Sequence, residues 1–303
     1  MNDIIIIGGG AAGMTAALYA LRSGKKVLLI EKNSFGGQIA LSPRVENYPS
    51  IKEMKGAEFS DNLFNQIDDL GLKWELDNIQ KVEKNDNTFT VIGEYATYSA
   101  KSVIIATGVE HRKINVEGED DLIGHGLSYC ATCDGAFYSN QDVAVIGDAN
   151  TALQYILLLA NYCNKVYVCT LFDKFFADPT LINRMKKKNN IEIIQNIALQ
   201  SFTKDGSELA GLNFINTKSK NKVHISVKGA FIAIGQLPKN DFLANTIDLT
   251  KNGYIQADEN MATSTEGVFA CGDCIDKKIR QLTTAVSDGT IAAINAVAYI
   301  DKI

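Results

Sequence analysis

The chain has 303 residues, of which 46% are hydrophobic and 21% are charged, so it is long enough for two ordinary globular domains. Its formal net charge is −5 at pH 7, which argues against a surface that binds nucleic acid. Glycines interrupt the apolar start of the chain, so a membrane span is not expected, and no secretory signal is visible. We expect a cytoplasmic protein.

The first thirty residues have the pattern of a βαβ unit. A β-branched run at residues 4–7 predicts a strand, small residues from about 11 to 23 predict a helix, and the run at residues 26–30 predicts a second strand. This order is typical of a dinucleotide-binding fold.

The turn after the first predicted strand carries a phosphate-binding pattern, Gly8-x-Gly10-x-x-Gly13. Glycines allow a tight turn and a close approach of the backbone to a pyrophosphate, and the helix N-terminus favours negative charge. Glu31 ends the second strand, where a carboxylate accepts hydrogen bonds from ribose hydroxyls. The combination predicts a bound dinucleotide; a glycine turn without a ligand is the alternative.

The same order of elements returns further along the chain. Residues 143–146 predict a strand, residues 151–162 a helix and residues 166–169 a strand. The chain then ends with a predicted strand at residues 267–270 and an alanine-rich helix at about residues 283–299.

A C-terminal helix that returns to the first unit would make that unit discontinuous. We therefore predict an α/β fold with two three-layer, Rossmann-like dinucleotide-binding domains, the second inserted into the first. The first domain is expected to comprise residues 1–112 and 240–303, and the inserted domain residues 113–239.

The second glycine turn has lost the features that hold a phosphate. It reads Gly147-Asp148-Ala149, so a carboxylate stands where a pyrophosphate would approach. After the next strand the chain reads Thr170-Leu171, without an arginine for a 2′-phosphate. The second unit is expected to keep its fold without its nucleotide, or else to bind NADH or NADPH weakly by another route. Nearby phenylalanines are expected to pack in the core, with filling or covering of the vacated nucleotide cleft as the alternative; these are Phe172, Phe175 and Phe176.

Two cysteines at a spacing of three residues, Cys130 and Cys133, are the candidate redox centre. Such a pair can close a disulfide or hold a reactive thiolate, and Asp134 can hold or deliver the required proton. A zinc half-site and two packed thiols are the alternatives. Cys271 and Cys274 have the same spacing and are expected to be packing residues, because the two residues between them fit a cofactor role.

The remaining cysteines and the histidines point to no site, and no metal is expected. They are expected at ordinary core or surface positions; they are Cys163, Cys169, His111, His125 and His224.

Along essentially its whole length the sequence resembles the low-molecular-weight thioredoxin reductases. The motifs that carry the resemblance are Gly8-x-Gly10-x-x-Gly13, Gly36-Gly37-Gln38, Val45-Glu46-Asn47-Tyr48-Pro49, Ala106-Thr107-Gly108, Cys130-Ala131-Thr132-Cys133-Asp134-Gly135, and Gly272-Asp273 with Arg280-Gln281 and Ala285.

The resemblance implies a homodimer that binds FAD and reduces thioredoxin, in which Cys133 faces the flavin and Cys130 attacks the partner disulfide. It also implies the residues that bind FAD, with Glu31 at the adenosine ribose and Asp273 at the ribityl chain. The implied FAD-binding residues are Gly8, Gly10, Ala12, Gly13, Glu31, Lys32, Gly37, Gln38, Asn47, Thr107, Gly108, Gly272, Asp273, Arg280, Gln281 and Ala285.

The chain departs from the family at the second nucleotide site. The family binds NADPH there with a glycine motif, a His-Arg-Arg run and a further arginine; this chain has Asp148, Thr170-Leu171-Phe172 and Phe176 at those positions. It is therefore similar to the ferredoxin-dependent flavin thioredoxin reductases, which lack NADPH-binding residues. The alternatives are an NADPH-dependent thioredoxin reductase, a flavin-dependent dithiol oxidase that uses oxygen, and a non-catalytic flavin-binding protein.

Overall fold

A computed structural model describes residues 1–42 and 45–303 and divides the chain into two compact units. Unit 1 comprises Met1–Glu110 and Leu237–Ile303, and unit 2 comprises His111–Gln236. The second unit is thus a continuous segment inserted into the first. The limits expected from the sequence, after residues 112 and 239, lie two and three residues beyond the ends of these segments, Glu110 and Gln236.

Strands and helices alternate at the start of each unit. The strands are β1 (Asn2–Ile7), β2 (Val27–Glu31), β3 (Lys73–Leu76), β4 (Ile79–Asn85), β5 (Thr88–Gly93), β6 (Thr97–Ile105), β7 (Glu110–His111), β8 (Leu127–Ser128), β9 (Asp142–Ile146), β10 (Lys165–Cys169), β11 (Ile191–Ile194), β12 (Ile197–Asp205), β13 (Glu208–Asn216), β14 (Lys222–Ile225), β15 (Gly229–Ile232), β16 (Gln236–Leu237) and β17 (Val268–Ala270). The α-helices are α1 (Ala11–Arg22), α2 (Gly56–Asp68), α3 (Glu119–Leu122), α4 (Ala131–Asp134), α5 (Asn150–Leu159), α6 (Pro179–Lys186) and α7 (Leu282–Ile300).

Unit 1 is built on a seven-stranded sheet in the order β3-β2-β1-β6-β5-β4, with β17 paired to β6. The strands β3, β2, β1, β6 and β17 run parallel, whereas β4, β5 and β6 form an antiparallel meander. The four isoleucines of β1 are buried because a parallel strand is covered on both faces. This explains why the strand reads as an unbroken apolar run.

The C-terminal helix α7 packs against α1 and against β6 and β17 of unit 1. The approach is close, because a Cβ at Gly289 would overlap the carbonyl oxygen of Ala12. Small residues therefore allow the end of the chain to pack closely on the first unit.

Unit 2 contains a five-stranded parallel sheet in the order β11-β10-β9-β15-β8 and a three-stranded antiparallel sheet, β12-β13-β14. Helix α5 packs against β9 and β10, so the second βαβ unit has formed as predicted. The antiparallel sheet was not predicted, although its alternating apolar and polar residues and the Asp205-Gly206 turn between β12 and β13 are strand and hairpin signals.

The expectation that the three phenylalanines after β10 pack in the core is wrong for two of them. Phe175 packs against the core of unit 2, but Phe172 and Phe176 are 49% and 52% exposed. Their rings contact each other edge to face, with 5.7 Å between centroids. These two side chains follow the end of β10 and are about half exposed to solvent.

No helix within residues 1–42 and 45–303 is both long and apolar enough to span a membrane.

Candidate functional site

The first glycine turn lies between β1 and α1 and keeps backbone atoms close together. A Cβ at Gly8, whose φ is +110°, would overlap the carbonyl of Ala106, and one at Gly13 would overlap the carbonyl of Gly8. A Cβ at Gly10, by contrast, would have no atom nearer than Gly37 Cα at 4.0 Å. The two outer glycines are therefore required by packing, and the middle one leaves the backbone open to a ligand.

Glu31 lies at the end of β2 with its carboxylate fixed by the backbone. Its Oε2 accepts a hydrogen bond from the Gly9 N–H at 2.7 Å, and its Oε1 accepts one from the Asn33 N–H at 3.0 Å. A carboxylate held beside the glycine turn is the arrangement that binds a ribose diol. The next residue, Lys32, is instead exposed and forms an ion pair with Glu110 at 2.8 Å.

Asp273 follows Gly272 in the turn after β17. Its Oδ1 is buried and has no hydrogen-bond partner, and the nearest cation, Lys277 Nζ, lies 3.5 Å away. Burial raises the pKa of this carboxyl group. Because a buried acceptor without a partner costs free energy, Asp273 Oδ1 is suited to a ligand hydroxyl.

A buried ion pair supports this turn. Lys277 Nζ donates to Asp288 Oδ2 at 2.6 Å, and the same oxygen accepts a hydrogen bond from the Gly272 N–H at 3.2 Å. Sequence reasoning missed both residues; a charged pair eleven positions apart across a helix start has no local pattern.

The start of α7 brings two further expected residues together. Gln281 caps the helix in a reciprocal pair with Thr284, and its Oε1 accepts a hydrogen bond from Asn47 Nδ2 at 3.3 Å. Ala285 lies in the first turn of the same helix. Arg280 braces the preceding loop, because its guanidinium donates to backbone carbonyls and lies 4.5 Å over the ring of Tyr254.

Two other expected residues form hydrogen bonds within the protein, and a third lies in a left-handed backbone conformation. Gln38 Nε2 donates to the carbonyl of Val109, and Thr107 Oγ1 donates to Asn240 Oδ1 at 2.8 Å. Gly108 has a φ of +65°, which glycine adopts without strain.

These features fit the expected FAD. The glycine turn leaves its backbone open to a pyrophosphate, and Glu31 presents a fixed carboxylate to a ribose. Asp273 Oδ1 has no hydrogen-bond donor of its own, and a ribityl hydroxyl can provide one. All three belong to unit 1.

The redox pair lies in unit 2, at the start of the short helix α4. Cys130 and Cys133 are joined as a disulfide with 5.3 Å between their Cα atoms. The Cys133 N–H points at Cys130 Sγ, with 3.2 Å between the two atoms. A backbone donor at this sulfur stabilises a thiolate once the disulfide opens. While they are joined in this way, the two sulfurs are not available as zinc ligands.

Asp134 is held within the same turn. Its N–H donates to the Cys130 carbonyl at 3.0 Å, and its Oδ2 accepts a hydrogen bond from Ser128 Oγ at 2.6 Å. Its Oδ1 is buried without a partner. Burial raises the pKa of this carboxyl group, while the hydrogen bond from Ser128 lowers it. Sequence reasoning missed Ser128, although a serine two residues before a redox cysteine was a possible signal.

The second glycine turn is closed by the chain itself. The Phe176 N–H donates to the Asp148 carbonyl at 2.8 Å, so the segment after β10 lies against this turn. Leu171 and Phe172, each 49% exposed, precede it. The turn is thus bordered by a carboxylate and apolar side chains, and no arginine of residues 170–176 is available there.

The other cysteines and histidines lie where expected. All four remaining cysteines are buried free thiols whose pKa is raised by burial; they are Cys163, Cys169, Cys271 and Cys274. His125 and His224 are exposed, whereas His111 stacks on Tyr129 with 4.7 Å between ring centroids.

Comparisons with known proteins identify the family. The model of the pyridine nucleotide-disulphide oxidoreductase family matches residues 2–289. A thioredoxin reductase of Listeria monocytogenes is 36% identical over 301 residues, which cover 99% of this chain and 94% of that protein. A Clostridium pasteurianum protein named "34.2 kDa protein in rubredoxin operon" is 36% identical over 299 residues, with 98% and 97% coverage.

The fold has a close counterpart among solved structures. The crystal structure of thioredoxin reductase from Streptococcus pyogenes matches with a TM-score of 0.96 and 34% identity, over 100% of this chain and 99% of that one. The predicted fold class and the predicted cofactor are confirmed. The chain belongs to the pyridine nucleotide-disulphide oxidoreductase family, as a homologue of the low-molecular-weight thioredoxin reductases, and is an FAD-dependent disulfide oxidoreductase of the thioredoxin reductase type.

Proposed function

We propose that this protein reduces thioredoxin with electrons from reduced ferredoxin, which pass through FAD and the Cys130–Cys133 disulfide. The observation that carries the proposal is the contrast between the two nucleotide sites. The first retains its open glycine turn and its fixed Glu31, whereas the second has Asp148 and Phe176 in contact where phosphate-binding groups are needed.

The altered turn is a poor site for NADPH. A hydrogen bond to a charged partner contributes about 1.5–3 kcal/mol, so the loss of two would weaken binding by about 10²- to 10⁴-fold. A carboxylate at Asp148 adds repulsion. An electron donor that is itself a protein does not need this cleft. The NADPH site can therefore be lost while the reduction of thioredoxin continues.

The energetics allow the reaction. The reduction potential of a plant-type ferredoxin is about −400 mV, and that of thioredoxin is about −270 mV. Two electrons that fall through this difference release about 6 kcal/mol. FAD, when bound, supplies a carrier that accepts electrons singly and passes them on as a pair.

The residues of unit 2 carry out the disulfide step. Cys133 receives the electron pair at its sulfur, and the bond to Cys130 breaks, so that Cys130 leaves as a thiolate. Asp134 gives the proton of its buried carboxyl group to Cys133 and takes it back before Cys133 attacks in turn. Cys130 then attacks the disulfide of thioredoxin as a thiolate, stabilised by the N–H of Cys133. A second attack by Cys133 releases reduced thioredoxin and restores the disulfide.

The proposal includes the FAD-binding set named above and a homodimer, both carried by the similarity to thioredoxin reductases. The assembly can be measured by light scattering on the purified protein, with twice the chain mass of 33.0 kDa expected.

Rapid-mixing experiments on the FAD-loaded protein test the electron donor. Reduced ferredoxin is expected to bleach the flavin absorbance within the turnover time, and NADPH is expected to leave it oxidised because the second turn repels phosphate. Rapid bleaching by NADPH would contradict the proposal.

The Cys133→Ser variant is the matched control. It keeps the flavin site of unit 1 intact, so ferredoxin should still bleach the flavin while thioredoxin reduction is lost. Thioredoxin reduction that persists in this variant would show that the cysteine pair is not the carrier.

A further inference from the structure

We propose that Ser128 is a positioning residue that orients Asp134 for proton transfer at the Cys130–Cys133 disulfide. Its hydroxyl joins the two parts of this site, since it donates to Asp134 Oδ2 at 2.6 Å and accepts a hydrogen bond from the Cys130 N–H at 3.0 Å. The inference rests on the proposed disulfide chemistry and adds a residue to it.

The direction of the hydroxyl proton follows from the two bonds. A serine hydroxyl has one proton to donate. Because the Cys130 N–H already donates to Oγ, the serine proton is available for an acceptor, and Asp134 Oδ2 at 2.6 Å is much nearer than the Cys130 carbonyl at 3.4 Å. Ser128 is only 5% exposed, so water competes little for these bonds.

The anchor is part of a sheet. Ser128 belongs to β8, the edge strand of the five-stranded sheet, where it pairs with Phe231 of the neighbouring strand β15. The hydrogen bond therefore ties the Asp134 carboxyl group to the sheet, with Oδ2 engaged and the buried Oδ1 left as the oxygen that exchanges the proton.

The proton balance of the disulfide step requires such a group. When an external dithiol reduces this disulfide, the dithiol becomes a disulfide and loses its two protons to solvent, while the Cys130–Cys133 bond breaks and two sulfur anions form. Asp134, protonated at Oδ1, gives its proton to one of them, and the products are one thiol, one thiolate and the Asp134 carboxylate. When a partner disulfide reoxidises the two cysteines, that proton returns to Asp134.

Two tyrosines interact electrostatically with the Asp134 carboxyl group. Tyr138 from the turn after α4 and Tyr155 from α5 both face the carboxyl group, and burial raises the pKa of each, to about 12 for Tyr138. They stay neutral between about pH 5 and pH 9. Neither tyrosine therefore adds an inflection to the pH profile in that range.

The test measures how the equilibrium between the disulfide and dithiothreitol depends on pH in the FAD-loaded protein, with thiols counted by alkylation and mass spectrometry. In Ser128→Ala the Asp134 carboxylate loses a hydrogen bond, so its pKa rises further and the inflection moves up by about one pH unit. Ser128→Thr keeps the hydroxyl and should reproduce the wild-type profile.

Two controls separate this role from a general loss of structure. Ser139→Ala removes an exposed serine hydroxyl that donates to the Ala136 carbonyl at 2.8 Å in the neighbouring turn, and it should leave the profile unchanged. In an Asp134→Asn background the inflection assigned to Asp134 should disappear, and adding Ser128→Ala should then have no further effect.

The outcomes are distinguishable. An unmoved inflection in folded Ser128→Ala, a shifted one in folded Ser128→Thr, or a shift that persists with Asp134→Asn would each overturn the inference. A disulfide that does not exchange with dithiothreitol at any pH would instead overturn the proposed function.

Discussion

Two buried carboxylate oxygens stand out among the described residues. Asp134 Oδ1 and Asp273 Oδ1 are the buried side-chain polar atoms of residues 1–42 and 45–303 that have no hydrogen-bond partner. Both belong to residues that the sequence motifs had singled out, one at the redox pair and one at the flavin site. Because a buried acceptor without a hydrogen bond is costly, such atoms are expected where a ligand or a proton completes the site.

The Lys277–Asp288 pair is expected to support the flavin site and the stability of unit 1. In Lys277→Met, Asp288 keeps a buried charge without its cation, which should lower the free energy of unfolding by about 2 kcal/mol, since both side chains are mostly buried. Urea unfolding of the FAD-free protein measures this. FAD affinity should also fall, because Asp288 holds the Gly272 N–H.

A second variant isolates the pair. Lys278→Met changes an exposed neighbouring lysine and should have little effect on either measurement. Equal losses in the two variants would show that the charge itself, and not the buried contact, matters.

At the scale of elements, one buried carboxylate closes the turn between β5 and β6. Asp77 accepts hydrogen bonds from the N–H groups of Glu94, Tyr95 and Ala96 and from the Tyr98 hydroxyl, at 2.8–3.2 Å. Burial raises the pKa of Asp77, but these hydrogen bonds outweigh burial, so the pKa lies below the ordinary 3.8.

The Asp77 pKa predicts a pH-dependent contribution to stability. Since the folded pKa is lower than the unfolded one, the stabilisation is fully present above about pH 4 and is lost as the pH falls through 3.8 towards the folded value. Asp77→Ala should reduce the free energy of unfolding by about 2–4 kcal/mol at pH 7, because four donors lose their acceptor. The difference from wild type should shrink in acid; a difference that does not depend on pH would contradict this assignment.

At the scale of the whole molecule, the two units have separate hydrophobic cores. One buried cluster belongs to unit 1 and two belong to unit 2. Unit 2 is also one continuous segment, and the members of both its clusters come from that segment.

We therefore predict that a fragment of residues 111–236 folds by itself and forms the Cys130–Cys133 disulfide. Circular dichroism with urea titration should show one cooperative transition. Residues 1–110 alone should not fold stably, because they lack β17 and α7, which complete the sheet and cover α1. A fragment 111–236 without a cooperative transition would show that the insertion depends on unit 1.

The sequence by itself was sufficient for the elements that local chemistry specifies. The strands β1 and β9 consist largely of apolar residues in sequence, and the turn at Gly8 has no room for a side chain. Cys130 and Cys133 lie close together because only two residues separate them in the chain. These features depend on neighbours within a few residues, so their pattern predicted the two βαβ units, the first nucleotide site and the redox pair.

Only the tertiary structure decided which distant side chains meet. Two hydrogen bonds of the site join residues from different secondary-structure elements or loops: Ser128 with Asp134, and Lys277 with Asp288. The exposure of Phe172 and Phe176 likewise depends on which other segments cover them. Burial and the pairing of buried charges are properties of the folded packing, because the chain pattern near each residue is the same whether or not a distant partner arrives.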